Sequence, residues 1–272
     1  MKEFFEYSDE NFSFHYSLNN KVSPQSRLFV THTHLEYELY CFVRGKASFR
    51  IEGTQYPLHS GDIVLLRSAE SHCLQPLEEG DYERVTLHFN PEILKPIDPE
   101  GKLLRPFNDR KLGQKNLYTP ADFQSPLCSM LIEGLCEKTD NPHQQIISML
   151  IPILNELCQA FDNKKETESL GGDVQGKRII DYVNRHLFEP LSLDSICERF
   201  YISKPQLCRV FKASTGSTVW EYITVKRLLA AQRLIMSGTA PTKAAISCGF
   251  NDYSVFYRAY RRRFGASPKE AQ

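Results

Sequence analysis

The chain has 272 residues, 41% of them hydrophobic, and its 33 Lys and Arg balance its 33 Asp and Glu. This length suffices for two domains with separate cores. The start of the chain is polar and acidic, and no apolar run approaches the roughly 18 residues that a membrane helix needs, so we expect neither a secreted nor a membrane protein. Eight cysteines without a Cys-x-x-Cys pair fit a reducing cytoplasm.

The zero net charge hides an uneven distribution along the chain. Residues 177–272 carry 16 Lys and Arg against 7 Asp and Glu, whereas residues 1–176 carry 17 against 26. The two parts therefore have net charges of +9 and −9. A basic C-terminal part of this kind indicates a nucleic-acid partner.

Residues 27–90 alternate in short β-type runs separated by glycines. Strands are predicted at 37–43, 47–51, 62–67 and 82–89. Short, closely spaced strands with glycine turns predict a small antiparallel barrel or jelly roll. Residues 91–119 contain four prolines and are predicted as loop and weak strand.

Two helices are predicted after the barrel. The first follows Pro120 and runs to Lys138, and the second covers residues 143–161, where Pro152 should kink the helix or reset its start. The second helix carries one apolar stripe: Ile146, Leu150, Ile153, Leu157 and Phe161. Such a stripe can join two chains or pack on its own barrel, and both interpretations stay open.

Residues 163–176 are charged, contain glycine and are almost free of large apolar side chains, which is the composition of a flexible linker. The predicted domains are therefore 1–162 for the barrel with its flanking helices and 177–272 for a helical domain. Helices are expected in the latter at 177–187, 193–200, 204–213, 219–236, 242–248, 252–263 and 268–272. Capping boxes support three of the starts: Ser203 with Gln206, Thr218 with Glu221, and Ser267 with Glu270.

Two helix-turn-helix units are predicted within the helical domain. In the second unit, Gly249 permits the positive φ that ends one helix, Phe250 anchors the turn, and Phe256 and Tyr260 face the core. In the first unit the inward positions are Ile196, Phe200, Leu207, Val210 and Phe211. The outward faces of both units are polar and basic. The 18-residue helix 219–236 between them, with apolar faces that include Trp220, spans about 27 Å, which suits two recognition helices in successive major grooves about 34 Å apart.

The stretch from about Lys177 to Gln272 resembles the DNA-binding domain of the AraC/XylS family of bacterial transcription regulators. The matching residues include Leu193, Ile196, Phe200, Ser203, Leu207, Arg209, Phe211, Gly216, Arg227, Ala245, Gly249, Phe250, Asp252, Phe256, Arg258 and Pro268. The resemblance implies base-reading positions at Pro205, Cys208 and Arg209 in the first unit and at Tyr253, Ser254 and Arg258 in the second. Pro205 and Cys208 form few hydrogen bonds, so base reading by the first unit should rest largely on Arg209.

The complete DNA-binding surface expected from the two faces is larger than these base-reading positions, because Lys and Arg at the helix edges neutralise phosphates. It comprises Ser203, Lys204, Pro205, Gln206, Cys208, Arg209, Lys212, Asp252, Tyr253, Ser254, Tyr257, Arg258, Arg261 and Arg262.

The barrel sequence His32-x-His34-x-x-x-Glu38, with Gly45, Gly61 and His72 downstream, resembles the two cupin motifs. In metal-binding cupins three histidines and a carboxylate converge inside the barrel. The second motif departs from this pattern, because Arg67 and Ala69 stand where proline and glycine are usual and Pro76 where asparagine is usual. Positions 32, 34, 36 and 38 would share one face of a strand. We expect His32, His34, Glu38 and His72 to line an effector pocket; metal binding stays open, and no cofactor is expected.

The sequence thus predicts an α+β protein with a cupin-like β-barrel or jelly roll, flanking helices and an all-α domain of two helix-turn-helix units. The function implied by the resemblance is transcription regulation in the cytoplasm, not enzymatic activity. The expected partners are double-stranded promoter DNA, a small-molecule effector such as a sugar, a second copy of the chain and, as a further candidate, RNA polymerase. Two alternatives remain: a metal-dependent cupin enzyme fused to a DNA-binding domain, and an effector-independent DNA-binding protein whose barrel only dimerises.

Overall fold

The chain folds into a strand-rich N-terminal domain followed by a helical C-terminal domain, which confirms the predicted α+β class. The computed structural model describes residues 4–26, 31–164 and 174–270. Most of the predicted linker, residues 165–173, lies outside the described residues. Within the described ranges, no helix is both long and apolar enough to cross a bilayer.

The N-terminal domain consists of two antiparallel sheets packed face to face. The strands are β1 (Phe5–Ser8), β2 (Phe12–Val22), β3 (Tyr37–Arg44), β4 (Ala47–Ile51), β5 (Thr54–Leu58), β6 (Ile63–Leu66), β7 (His72–Pro76), β8 (Gly80–Phe89) and β9 (Leu117–Tyr118). The larger sheet has the order β1-β2-β8-β3-β6-β9, and the smaller has the order β5-β4-β7. The strands β3, β4, β6 and β8 lie close to their predicted positions, whereas β1, β2, β5 and β7 were not predicted.

Aromatic side chains fill the space between the two sheets. Tyr40 and Phe42 of β3 and Tyr82 of β8 meet Phe49 and Tyr56 of the smaller sheet, and all five are buried. The hydroxyl groups of Tyr40 and Tyr82 form a hydrogen bond with each other. Because this middle section of the barrel is packed, a ligand site has to lie nearer one of its ends.

The other face of the larger sheet is covered by helices. After two 3₁₀ turns at Pro91–Leu94 and Lys102–Leu104 come α1 (Arg105–Asn108), α2 (Leu127–Leu135) and α3 (Pro142–Asn163). The predicted stripe of α3 packs against the strands, with Ile146, Leu150, Ile153 and Leu157 buried in the same core as the sheet. The stripe therefore belongs to its own barrel. The helix is continuous through Pro152, so of the two predicted effects of this proline the new helix start was wrong.

The C-terminal domain contains α4 (Val174–Arg185), α5 (Leu193–Phe200), α6 (Lys204–Thr215), α7 (Val219–Met236), α8 (Pro241–Ser247) and α9 (Tyr253–Phe264). The predicted final helix at 268–272 was wrong over the described residues, because 268–270 form a turn. Ser267 and Glu270 still bond to each other, but they close a single turn, and one turn alone does not make a stable helix.

The helix α7 joins two small cores. Its first half, with Val219, Tyr222 and Ile223, packs with α4, α5 and α6, and its second half, with Leu228 and Ile235, packs with α8 and α9. We call α5 with α6 the first unit and α8 with α9 the second unit. Trp220, predicted to lie on an apolar face of α7, is instead 44% exposed.

Candidate DNA-binding surface and effector site

Each recognition helix, α6 or α9, begins with a side-chain cap. The Ser203 hydroxyl accepts the backbone N–H of Gln206. The Asp252 carboxylate accepts the N–H groups of Ser254 and Val255 at 2.6 and 3.2 Å. Such caps satisfy backbone donors at the helix start and fix where the helix begins. Ser203 and Asp252, both predicted to contact DNA, therefore also set the position of the helices.

The predicted DNA-binding side chains lie on the outer faces of α6 and α9. Exposed positions are Lys204, Pro205, Cys208, Arg209, Lys212, Tyr253, Ser254, Arg258, Arg261 and Arg262. Gln206 and Tyr257 are half-buried. Lys204 forms an ion pair with Asp194, at 2.7 Å between nitrogen and oxygen. Arg209 of the first unit and Arg258 of the second unit are exposed to solvent. Both arginines that were predicted to read bases are therefore accessible on the outer faces of the recognition helices.

The turn of the second unit depends on glycine and on one arginine of α7. Gly249 has φ +80°, and a Cβ at this position would lie 2.8 Å from the Phe188 carbonyl oxygen. The Arg227 guanidinium donates to the carbonyl oxygens of Gly249, Leu187 and Glu189 at 2.7 to 2.8 Å. Because these acceptors belong to both halves of the domain, Arg227 fixes one half against the other.

At one end of the barrel, three imidazole rings converge on a single carboxylate oxygen. The Oε2 atom of Glu38 lies 3.0 Å from Nε2 of His34 and 3.4 Å from Nε2 of both His72 and His88. Glu38 and His72 are buried, and His34 and His88 are half-buried. The exposed His32 ring contacts the His72 ring edge to face, with centroids 4.2 Å apart. The structure therefore brings all four predicted residues together with His88.

Backbone carbonyls fix the tautomers of two of these rings. Nδ1 of His34 lies 2.9 Å from the Glu36 carbonyl oxygen, and Nδ1 of His72 lies 2.7 Å from that of Glu70. A carbonyl can only accept, so each Nδ1 carries the hydrogen. Nε2 of His34 lies within hydrogen-bonding distance, 3.0 Å, of the Glu38 carboxylate, which also can only accept. Nε2 of His72 is also buried and forms no hydrogen bond, although it lies 3.4 Å from the carboxylate.

The cluster keeps its carboxylate ionised. Burial alone would raise the pKa of Glu38, but His88, His34 and His72 hold that pKa well below its usual range. For His88, burial acts to lower the pKa, and the Glu38 carboxylate outweighs it and raises the pKa above its usual value. The three imidazole rings thus offset the cost of burying the Glu38 carboxylate.

The sequence interpretation missed His88 and gave the wrong reason for the convergence of the others. His34 precedes β3 and does not share a strand face with Glu38; His32 forms an isolated bridge to His72. His88 joins the cluster because β3 pairs with β8 so that Glu38 lies opposite His88. The only sequence signal for this residue was the alternation along residues 82–89 that predicted the strand.

A cleft of about 530 Å³ leads from solvent to this cluster. His32, His34 and His88 lie along it, together with Asn11 before β2 and Met236 at the end of α7. A volume of this size can hold a small polar molecule. The cleft is thus bounded by both domains.

Comparisons with known proteins agree with this architecture. The family described as AraC-like ligand binding domain matches residues 22–160, and the family described as Helix-turn-helix domain matches residues 196–272. The transcriptional activator RhaS of Escherichia fergusonii is 36% identical over 250 residues, covering 89% of this chain and 87% of the relative. The probable transcriptional regulator LumQ of Photobacterium leiognathi is 31% identical over 248 residues, covering 89% and 92%.

The chain belongs to the AraC family. It is accordingly a DNA-binding transcriptional regulator with an N-terminal ligand-binding domain, and its relatives are regulators rather than enzymes. A solved structure of ToxT from Vibrio cholerae is 14% identical, covers 96% of this chain and 97% of its own, and superposes with a TM-score of 0.41. At that score the likeness adds nothing to the sequence matches.

In this AraC-family regulator, a hairpin of the barrel inserts a carboxylate into the DNA-binding domain. Glu52, between β4 and β5, pairs with Lys226 at 2.6 Å, and both side chains are buried. The same carboxylate accepts hydrogen bonds from the Tyr222 hydroxyl, the Asn184 amide and the backbone N–H of Ser71. A buried ion pair with this many partners resists separation, because either charge left alone would be costly.

A second connection is the short segment 31–34, which runs from the histidine cluster to both recognition helices. Its first residue, Thr31, packs against Gly216 at the end of α6. The carbonyl of Thr33 accepts a hydrogen bond of 2.8 Å from Arg263 at the end of α9. The two histidines of the segment belong to the cluster described above. The AraC-family DNA-binding domain and the ligand-binding domain are thus joined next to the candidate effector site.

Proposed function

We propose that Arg209 and Arg258 carry the base-specific contacts of this regulator. The observation that supports this most directly is that both are exposed at corresponding places on capped helices of the two units. A guanidinium that reads guanine contributes about 1 to 3 kcal/mol of discrimination. The remaining basic positions, such as Lys212 and Arg261, neutralise phosphates and contribute to affinity without selectivity.

The test uses DNA fragments selected by the wild-type protein from a genomic pool. Arg209→Ala and Arg258→Ala should each weaken binding about 5- to 150-fold and relax sequence preference at one position, as repeat selection would show. Arg44→Ala is the matched control, because it removes the same charge from an exposed site on the barrel. Variants that bind the selected fragments as tightly as wild type would remove this assignment.

We further propose that a small polar effector, with sugars as candidates, binds in the 530 Å³ cleft beside His32, His34 and His88. Aromatic side chains fill the middle of the barrel, so a site at its end is favoured over one in the middle. Effector binding would displace segment 31–34 and alter its contacts with Gly216 and Arg263. Thermodynamic linkage requires that such an effector bind with changed affinity when DNA is present.

Calorimetric titration of candidate sugars, with and without the selected DNA, tests this effector site. His34→Ala should abolish binding. His59→Ala changes an exposed histidine that does not line the cleft and should leave binding unchanged. An effector that binds His34→Ala as well as wild type would place the pocket elsewhere.

Association into a homodimer and contact with RNA polymerase remain proposals. The α3 stripe that could have joined two chains is buried against the barrel, so a dimer contact has to use other residues. Sedimentation of the full chain at micromolar concentration tests the homodimer, and finding only monomer would contradict it.

A further inference from the structure

The turn between α5 and α6 carries an aromatic side chain that the protein itself does not cover. Tyr201 follows the last residue of α5 and stands two residues before Ser203, the cap of α6. Its side chain is 95% exposed, and within the described residues it forms no hydrogen bond, ion pair or ring contact. We propose that Tyr201 contacts the DNA backbone beside the first recognition helix. This inference rests on the DNA-binding function of the family and not on the assignment of Arg209 and Arg258 to base reading.

The backbone of Tyr201 is strained. Its φ of +54° and ψ of +46° lie in the left-handed region, where a side chain crowds the following carbonyl oxygen. Glycine is the usual residue in this conformation, and asparagine is tolerated, whereas a bulky residue is an outlier. Because the exposed ring packs against nothing in the described protein, packing does not offset this cost. A strained residue of this kind points to a function of its side chain.

The second unit has the same turn with glycine in the matching place. The N–H groups of Tyr201 and Gly249 each donate to the carbonyl three residues earlier, and the N–H of the following residue donates to the carbonyl five residues earlier. A Cβ at Gly249 would lie 2.8 Å from the Phe188 carbonyl oxygen, whereas the side chain at 201 extends into solvent. Glycine thus suffices for the turn, and the turn itself does not explain the tyrosine of the first unit.

The place of this turn in the first unit favours DNA as the partner. In helix-turn-helix proteins the first helix crosses the DNA backbone, and the N-terminal residues of the recognition helix reach the bases. Tyr201 joins these two elements, and its Cα lies no more than about 7 Å from that of Ser203. The exposed Arg199 and Lys204 add positive charge on either side of it in the chain. Tyrosine hydroxyls form hydrogen bonds with phosphate oxygens, and such contacts fix the protein on the duplex without reading its sequence.

The experiment measures binding of the full-length protein, by fluorescence anisotropy, to the fragments selected by the wild type and to fragments of unrelated sequence. Tyr201→Gly should weaken binding to both about 2- to 10-fold, the effect of one lost hydrogen bond. The slope of affinity against salt should not change, because a neutral side chain releases no counterions. Tyr201→Phe, which keeps the ring and loses the hydroxyl, should show most of this loss. Tyr201→Asn tolerates the positive φ without the mobility of glycine and should bind as weakly as the glycine variant.

Thermal melting of the same variants separates a DNA contact from a role in the fold. Tyr201→Gly should melt about 2 to 4 °C above the wild type, because it relieves the strained backbone. Lys21→Gly is the matched control: it relieves a φ of +56° at an exposed position of the barrel and should bind both kinds of fragment like the wild type.

Three results would overturn the contact between Tyr201 and the DNA backbone. The first is unchanged DNA binding by Tyr201→Gly. The second is a loss confined to the selected fragments, because Tyr201 would then act by positioning α6. The third is a glycine variant that melts below the wild type, because the fold itself would then require the side chain. Binding of Arg209→Ala and Arg258→Ala is measured separately, so failure of this contact and failure of the base-reading assignment are distinguishable.

Discussion

The two helix-turn-helix units are built alike but are attached to the barrel differently. Around the first unit, Glu52 is buried beside Lys226 and Tyr222, and Arg50 donates to the Ala213 carbonyl at 2.7 Å. In the part of the chain that the structure describes, the second unit is bonded to the barrel through the hydrogen bond from Arg263 to the Thr33 carbonyl. A buried ion pair is costly to open, while one bond at the surface is worth about 1 kcal/mol. The first unit thus has the stronger attachment to the barrel, and the second unit is held in place largely through α7 and Arg227.

The largest expected effect comes from breaking the connection at the first unit. Lys226→Met leaves the Glu52 carboxylate buried without its cation and should lower the free energy of unfolding by about 3 to 5 kcal/mol. Urea denaturation of the full chain measures this. The double variant Glu52→Gln with Lys226→Met should recover most of the loss, because no buried charge remains. Wild-type stability in the single variant would show that water reaches the pair.

A smaller loss of stability is expected when the contacts that hold the two units together are removed. Arg227→Lys cannot reach the carbonyls of Leu187, Glu189 and Gly249 together, so buried acceptors lose their donor. We expect a loss of about 2 to 3 kcal/mol in the free energy of unfolding. Arg233→Lys, at an exposed position of the same helix, should have little effect. Equal stability of both variants would contradict the bridging role of Arg227.

A matched pair of glycines compares the ends of the two recognition helices directly. Gly216 and Gly265 follow α6 and α9 with φ of +77° and +74°. Alanine costs about 1 kcal/mol at either position because of the positive φ. At Gly216 the new Cβ would also lie 2.9 Å from Cβ of Thr31, whereas nothing lies within 4 Å of it at Gly265.

We therefore expect Gly216→Ala to be less stable than Gly265→Ala by about 1 to 2 kcal/mol in urea denaturation. Adding Thr31→Gly to Gly216→Ala should remove the difference. If the two alanine variants are equally stable, Thr31 of the barrel does not lie in close contact with the end of the first recognition helix.

The smallest expected effect is at the second unit. Arg263→Ala removes one hydrogen bond of about 1 kcal/mol, so backbone amides near Thr33 should exchange hydrogen about 5-fold faster. The neighbouring exposed Arg262→Ala is the control. Unchanged exchange in the Arg263 variant would mean that the second unit is held by other contacts.

The C-terminal helices were predictable because their signals are local. Residues 193–200 and 219–236 were predicted with the observed bounds, since capping groups and a 3.6-residue apolar period lie within each helix. The final helix was wrong over residues 268–270, which form only a turn although Ser267 and Glu270 bond to each other as a cap would. Gly249 was predictable for the same local reason, as its positive φ ends a helix.

The barrel was predicted less completely because its strands depend on distant partners. The strand β2 was missed although Phe12, Phe14 and Tyr16 alternate with polar residues, since its partner β8 lies some 70 residues further on. His88 joins the histidine cluster because the pairing of β3 with β8 places it opposite Glu38. The sequence therefore predicted His32, His34, Glu38 and His72 of the candidate effector cluster. It predicted neither His88 nor the geometry that brings these residues together.

Segment 31–34 has a consequence for the kind of operator to which the regulator responds. One short segment lies against the C-terminal ends of both recognition helices, through the Thr31 side chain at Gly216 and the Thr33 carbonyl at Arg263. We expect that displacing it acts on both helices at once and changes their relative rotation about the duplex axis. Two helices that enter successive turns of DNA are sensitive to helical phase, because the half-sites repeat about every 10 base pairs. Operators with one base pair inserted between the half-sites would report that rotation.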